Sequence, residues 1–164
     1  MIGKKMEDAI NKQINAEFYS SFLYLAMAAD FEAQNFKGFT NWLKIQAQEE
    51  YSHAMKFYHH IIERGGKVKF EAIDAPKAGW KNALAVFTET YEHEVKVTAM
   101  IYKLVEIARA EKDYAAESML KWFVDEQVEE EANTSEIVGI LKLIGDSKGS
   151  LYQLDHQLGK RKAD

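Results

Sequence analysis

The chain contains no cysteine, and that one absence removes disulfides, zinc ribbons, thiolate-held iron–sulfur centres and thiol nucleophiles together. It fits a reducing compartment. Proline occurs once, at Pro76, so little interrupts long helices. No run approaches the ~18 consecutive apolar residues of a membrane span. The opening MIGKKMEDAI lacks the apolar core and cleavage site of a signal peptide. The expectation is a cytoplasmic protein without a membrane partner. There is no excess of basic charge either. The net charge is −5, with Lys and Glu interspersed, which argues against nucleic-acid binding through bulk electrostatics. The apolar fraction of 47% over 164 residues is enough for one domain, residues 1–164, with a real core.

What the chain does have is helical periodicity. Apolar residues recur at steps of three and four in four long stretches, predicted as helices over 5–34, 38–64, 80–110 and 113–144. The first reads Ile10, Ile14, Glu17, Ser21, Tyr24, Ala28, Phe31, and the second Phe39, Leu43, Gln46, Glu50, His53, Phe57, Ile61. The third reads Leu84, Phe87, Tyr91, Glu94, Thr98, Ile101, Val105, Ala108. The fourth reads Ala116, Leu120, Phe123, Gln127, Glu130, Thr134, Ile137, Leu141, Ile144. Each spans roughly 45 Å at 1.5 Å per residue. Short links join the first two and the last two as antiparallel hairpins. The link over 65–79 is long and without period. Extended, it reaches roughly 50 Å, enough to travel the length of the bundle and leave the second and third helices parallel. A short fifth helix over 150–159 is expected after Gly145, capped by Ser150. Its stripe of Leu151, Leu154 and Leu158 needs a surface to cover, on its own bundle or on neighbouring chains. The fold class is therefore all-α: a four-helix bundle with one long crossover and a fifth C-terminal helix.

The informative feature is what interrupts the apolar stripes. Glu17, Glu50 with His53, Glu94, and Gln127 with Glu130 all fall near mid-helix. Mid-helix is mid-bundle whichever way a helix runs, so these groups converge. Burying that many carboxylates is prohibitive without a cation. The four stripes contain no Lys or Arg. A metal site, with two ions, is the reading that satisfies them. Glu50 and His53 are an i, i+3 pair that points into one space. Carboxylates in excess of imidazole favour iron, with Glu50 as the natural bridge.

Tyr24, two turns from Glu17 on the same face, reads as a hydrogen-bond or redox partner of the site. Glu49, Glu126 and Glu129 lie beside the belt, where they are either solvated acids or an outer stop for metal. His59, His60 and His93 fall off the stripes and read as surface residues. His156 sits in the fifth helix, suited to an oligomer contact.

With these motifs in view, the chain resembles a non-haem ferritin of the bacterial and archaeal type. Ferritin-like di-iron bundles supply a Glu from each of two helices and Glu-x-x-His from the other two. Glu17 and Glu94 match the single positions, and Glu50-x-x-His53 matches one pair. The fourth helix offers Gln127-x-x-Glu130 instead, the variation of classical ferritins. The segments NAEFYSSFLYLAMA, EEYSHAMKFY and FVDEQVEEE carry the same likeness, which extends over the whole chain. The resemblance implies a single ferritin-like domain with ferroxidase activity. Fe(II) would be oxidised by dioxygen or hydrogen peroxide and stored as ferric mineral inside a shell of 24 identical chains. It implies a first iron on Glu17 and His53, Glu50 bridging, and a second on Glu94 with Gln127 and Glu130 nearby. It further implies an additional iron site at Glu49, Glu126, Glu129 and Glu130, and Tyr24 next to the centre. Haem is not expected, because Tyr51 and Glu130 stand where bacterioferritins carry Met and His. Many ferritins line a threefold pore with acids near the start of the fourth helix. Here Glu117 is available, but Leu120 and Lys121 follow it.

Two other readings compete. A di-iron oxidase or peroxidase of a small substrate would need an accessible cavity. A non-catalytic helical assembly would use the belt only to fix register. Iron retained per chain after addition of Fe(II) in air separates the three.

Overall fold

In a computed structural model describing residues 1–163, the chain forms five helices. They are α1 Lys4–Ala33, α2 Lys37–Glu63, α3 Ala83–Glu111, α4 Tyr114–Ile144 and α5 Lys148–Leu158. Local chemistry sets several ends. The side chains of Asn82, Asp113 and Ser147 each accept a hydrogen bond from the first turn of α3, α4 and α5. Gly65 and Gly145 adopt positive φ where α2 and α4 end. Two expectations are corrected here. The third helix starts at Ala83 rather than at 80, because Asn82 caps it. The fifth starts two residues early, because Ser147 and not Ser150 is the cap.

The helix directions follow from who meets whom. Phe31 stacks on Phe39 at 4.7 Å, and Ile2 at the start of the chain bonds Arg64 just past α2, so α1 and α2 are antiparallel. Tyr24 reaches Glu94 and Thr90 reaches Met27, so α1 and α3 are antiparallel too. Hence α2 and α3 run parallel, joined by a crossover along the bundle. That crossover is tied to α1 rung by rung. Lys67 N–H donates to Glu7, Lys69 N–H to Asn11 at 2.7 Å, and Asn15 donates to the Ala72 carbonyl.

The apolar interior is in two parts. One gathers Phe31, Phe39, Trp42 and Phe87; the other gathers Ile10, Phe57, Ile101 and Phe123. The polar belt lies between them. α5 packs on α2 of its own chain. Leu154 and Leu158 are buried there and Leu151 half-buried, so the stripe covers its own bundle. No side chain from α2's own N-terminus caps it. Asp155 of α5 supplies that function, its carboxylate accepting from the Phe39 N–H at 2.9 Å. The approach is close at Gly38, where a Cβ would stand 1.5 Å from the Asp155 carbonyl oxygen.

Gly38→Ala should therefore push α5 off α2. The expected cost is about 1–3 kcal/mol, typical of overpacking. Hydrogen exchange should show lost protection in α5 while α3 and α4 stay protected. An unchanged denaturation midpoint with α5 still protected would contradict this account.

Candidate metal centre

Each helix delivers its polar groups to the belt through the same device, a helical stripe whose apolar members fix its rotation. Ile14 and Tyr24 bury the α1 face that carries Glu17; Leu43 and Phe57 do the same for Glu50 and His53. Glu94, Gln127 and Glu130 are buried as well. Ligand atoms of Glu17, Glu50 and His53 lie within 4.8 Å of one another. His53 Nδ1 is 3.5 Å from Glu50 Oε2.

The hydrogen bonds leave a pattern. Gln13, one turn before Glu17, donates to Glu17 Oε1 at 2.8 Å. Gln46, one turn before Glu50, stands 3.4 Å from Glu50 Oε1 and donates to Glu130 Oε2 at 2.7 Å. The second oxygens, Glu17 Oε2 and Glu50 Oε2, are buried with no hydrogen-bond partner. Across the belt, Tyr24 Oη donates to Glu94 Oε1, and Gln127 Nε2 donates to Glu94 Oε2 at 3.2 Å. No lysine or arginine bonds Glu17, Glu50, Glu94 or Glu130 among the described residues.

Burial sets the protonation of these groups. It raises the Glu17 carboxyl well above its ordinary range, and the charge of Glu50 raises it further. Glu50 is raised by burial and then by Glu94 and Glu130. Glu94 is raised by burial, against the pull of Tyr24 and Gln127. Glu130 is pushed up to about 8 by burial and by Glu94. Tyr24 is raised by burial and by the Glu94 charge, so it stays a phenol. Several like charges in one dry space cannot all ionise unless protons or cations neutralise them.

The outer acids are distributed differently. Glu126 is half-buried, its Oε1 3.9 Å from His53 Nε2. Glu49 is half-buried and Glu129 exposed. Of the residues expected at the surface, His60 is buried and His93 half-buried. His60 lies against Arg64. His93 packs edge-on to Tyr24, its Nε2 2.8 Å from Ser20 Oγ, and burial lowers its pKa to about 4. His59 and His156 are exposed. Glu117 is paired with Arg109 at 2.8 Å. Sequence reasoning gave no role to Gln13, and it treated Gln46 as one more stripe position. The signal was available in both: each Gln sits four residues before a belt Glu, the spacing of facing helix neighbours. It also missed Arg161, beyond α5, which reaches Gln46 and Glu49.

Comparison with known proteins agrees with this architecture. Residues 7–144 match the ferritin-like domain family. A bacterial non-heme ferritin of Bacteroides fragilis (strain 638R) is 47% identical over 161 residues, covering 98% of this chain and 100% of the relative. One from Staphylococcus aureus (strain MRSA252) is 41% identical, covering 100% and 99%. Among solved structures, an open pore ferritin of the archaeon Archaeoglobus fulgidus superposes with a TM-score of 0.98 at 50% identity. That match covers 99% of this chain and all of the archaeal one.

The electrostatics predict a direction for stability against pH. Each belt carboxyl has a folded pKa above its unfolded value. The stability it contributes is complete below the unfolded carboxyl range and is lost as pH rises through the folded value, for Glu130 about 8. The urea midpoint of metal-free protein should fall between about pH 5 and pH 8. Glu130→Gln should flatten that slope. A midpoint that rises over this window in chelator would refute the protonated belt.

Proposed function

The chain belongs to the ferritin family, and on that premise we propose that the buried belt is where it oxidises ferrous iron before storing it. The protein is a ferroxidase and an iron-storage protein. The observation that carries the assignment to these residues is the pair of buried oxygens that accept no hydrogen bond, Glu17 Oε2 and Glu50 Oε2, the latter 3.5 Å from His53 Nδ1. Orphaned buried acceptors are costly and rare. A hard cation supplies what they lack, and a mixed carboxylate–imidazole set suits iron.

In this reading Fe(II) is the substrate. Glu17 and His53 hold the first ion, Glu50 spans both, and Glu94 with Gln127 and Glu130 serves the second. Two ions matter because each gives up one electron. Together they reduce dioxygen to hydrogen peroxide, or peroxide to water, without a one-electron oxygen product. Binding must expel the protons that the belt carboxyls hold, so iron uptake releases acid. Gln13 and Gln46 each engage one oxygen of their Glu and leave the other for iron. Tyr24 holds Glu94 in orientation; if it gives up an electron, its proton has Glu94 as acceptor. Glu49, Glu126, Glu129 and Glu130 would take a further ion on the way to the mineral. Haem has no role here.

Storage needs an enclosed volume, and a single bundle has a packed core. We therefore infer a closed shell of 24 chains, as a cytoplasmic assembly. Among the described residues no helix is long and apolar enough to cross a membrane. The α5 leucines are already used within the chain. Shell contacts fall instead to apolar groups that stay exposed, such as Phe22, Leu25, Val128, Leu143 and Tyr152. The rival oxidase reading has less support. A groove of about 700 Å³ is lined by Lys4, Asp8, Gln13, Met100 and Leu104; it meets the belt only through Gln13, and neither His53 nor any belt carboxyl borders it.

Glu50→Ala should nearly abolish fast Fe(II) oxidation, read by stopped-flow absorbance in air. Wild-type chains should retain iron far beyond the few ions of the site. Normal oxidation kinetics in the variant would sink the residue assignment, and turnover without retained iron would favour the oxidase. Light scattering should give one species far above the 18.8 kDa chain, stable on dilution. A monomer or dimer at micromolar concentration would exclude the shell while leaving the centre standing.

A further inference from the structure

Arg161 lies past the end of α5, yet its side chain reaches back to the belt. Its backbone is fixed first: Asn41 donates to its carbonyl at 3.1 Å, and its own N–H bonds the Leu158 carbonyl at 3.2 Å. The guanidinium then lies along α2. It sits 4.4 Å over the Trp42 ring, donates from Nη1 to Gln46 Oε1 at 2.8 Å, and donates from Nη2 to Glu49 Oε2 at 2.5 Å. Positions 42, 46 and 49 form one stripe of α2, so a planar fork can engage all three. Both charged partners are about four-fifths withdrawn from water, with side-chain exposures of 21% and 23%. Their attraction is screened less than that of a surface pair.

The contact has a second consequence, through Gln46. With Oε1 held by the guanidinium, its amide NH₂ must face the belt, where it donates to Glu130 and faces Glu50. The flipped amide would turn its NH₂ on the guanidinium, donor against donor, which is unfavourable. Arg161 therefore sets the orientation of an amide that addresses two belt carboxyls.

We propose that Arg161 is a tethered counter-ion that fixes the Gln46 amide and occupies Glu49, so that a metal ion reaches the Glu49, Glu126, Glu129 and Glu130 cluster only by displacing the guanidinium. The proposal rests on the reading of those acids as an accessory iron site. It makes the C-terminal tail a guard on that site: the paired centre is always ready, and the outer stop opens when a divalent charge outcompetes the arginine. Arg161 acts through Glu49 and Gln46 and is a positioning residue.

The test uses full-length protein stripped of metal and titrated with zinc, which is redox-inert, by calorimetry. Wild type, Arg161→Gln, Arg161→Lys and the double variant Arg161→Gln with Glu49→Gln are compared, with assembly checked by light scattering. Wild type should bind two ions per chain tightly and a third weakly. Arg161→Gln should keep the two and tighten the third about tenfold, because the competing charge is gone. Arg161→Lys, with the charge but not the fork, should fall between them, and the double variant should lose the gain. Anomalous diffraction should place the extra zinc against Glu49. Two tight ions in every variant with no change in the third would overturn this proposal alone. So would a zinc peak on Glu49 in wild type with the guanidinium still seated. Absence of the two tight ions from wild type would overturn the paired-site reading, and this proposal with it.

Discussion

The desolvation of carboxylates at mid-bundle is the constraint on which the rest of the structure depends. Glu17, Glu50, Glu94 and Glu130 are all buried, and no lysine or arginine bonds them among the described residues. An apolar interior tolerates such a group only if protons, amides or a metal ion neutralise or satisfy it. Here the belt divides the interior, with an aromatic-rich cluster on one side and an aliphatic and aromatic cluster on the other. Those two clusters hold the helices in register from either side, and the belt adds the inter-helix bonds Tyr24–Glu94, Gln46–Glu130 and Gln127–Glu94. The crossover serves the same end. Its bonds to Glu7, Asn11 and Asn15 fix how α1 lies relative to the chain between α2 and α3. The belt is thus held in place from both ends.

Much of this was legible in the sequence, for a physical reason. A long amphipathic helix has one register that buries its stripe, so Glu17 or Glu94 in the stripe of an otherwise apolar face must be buried. The convergence of four such stripes needed no topology. The centre of the site was readable because it is made of local, periodic information. What escaped depends on contacts between segments distant in sequence. His93 is off the stripe by periodicity, yet it is covered because α1 brings Ser20 and Tyr24 against it. Arg161 lies 112 residues from Glu49, beyond a helix whose docking on α2 hinges on Gly38 and Asp155. The cap of α5 was misplaced for a smaller reason: Ser147 and Ser150 are both good caps three residues apart, and their hydroxyls bond each other at 2.9 Å.

The choice of donors around the belt explains how such a site stays open. A buried lysine or arginine beside Glu17 or Glu50 would satisfy the carboxylate permanently, and an incoming ion would have to expel a tethered cation. An amide adds no charge. Gln13 satisfies one oxygen of Glu17, and Gln46, 3.4 Å from Glu50 Oε1, engages one oxygen of Glu50; the second oxygens accept no hydrogen bond. Gln127 and Tyr24 hold Glu94 by both oxygens, also without charge. Neutral donors orient these carboxyls and leave their charge to be met by protons and, on the proposed function, by metal. Among the described residues, the one guanidinium that enters this network stands at its rim, on Glu49 and on the outer face of Gln46. A cation placed there meets the charge of Glu49 without touching Glu17, Glu50 or Glu94, so it leaves the middle of the belt to its neutral donors.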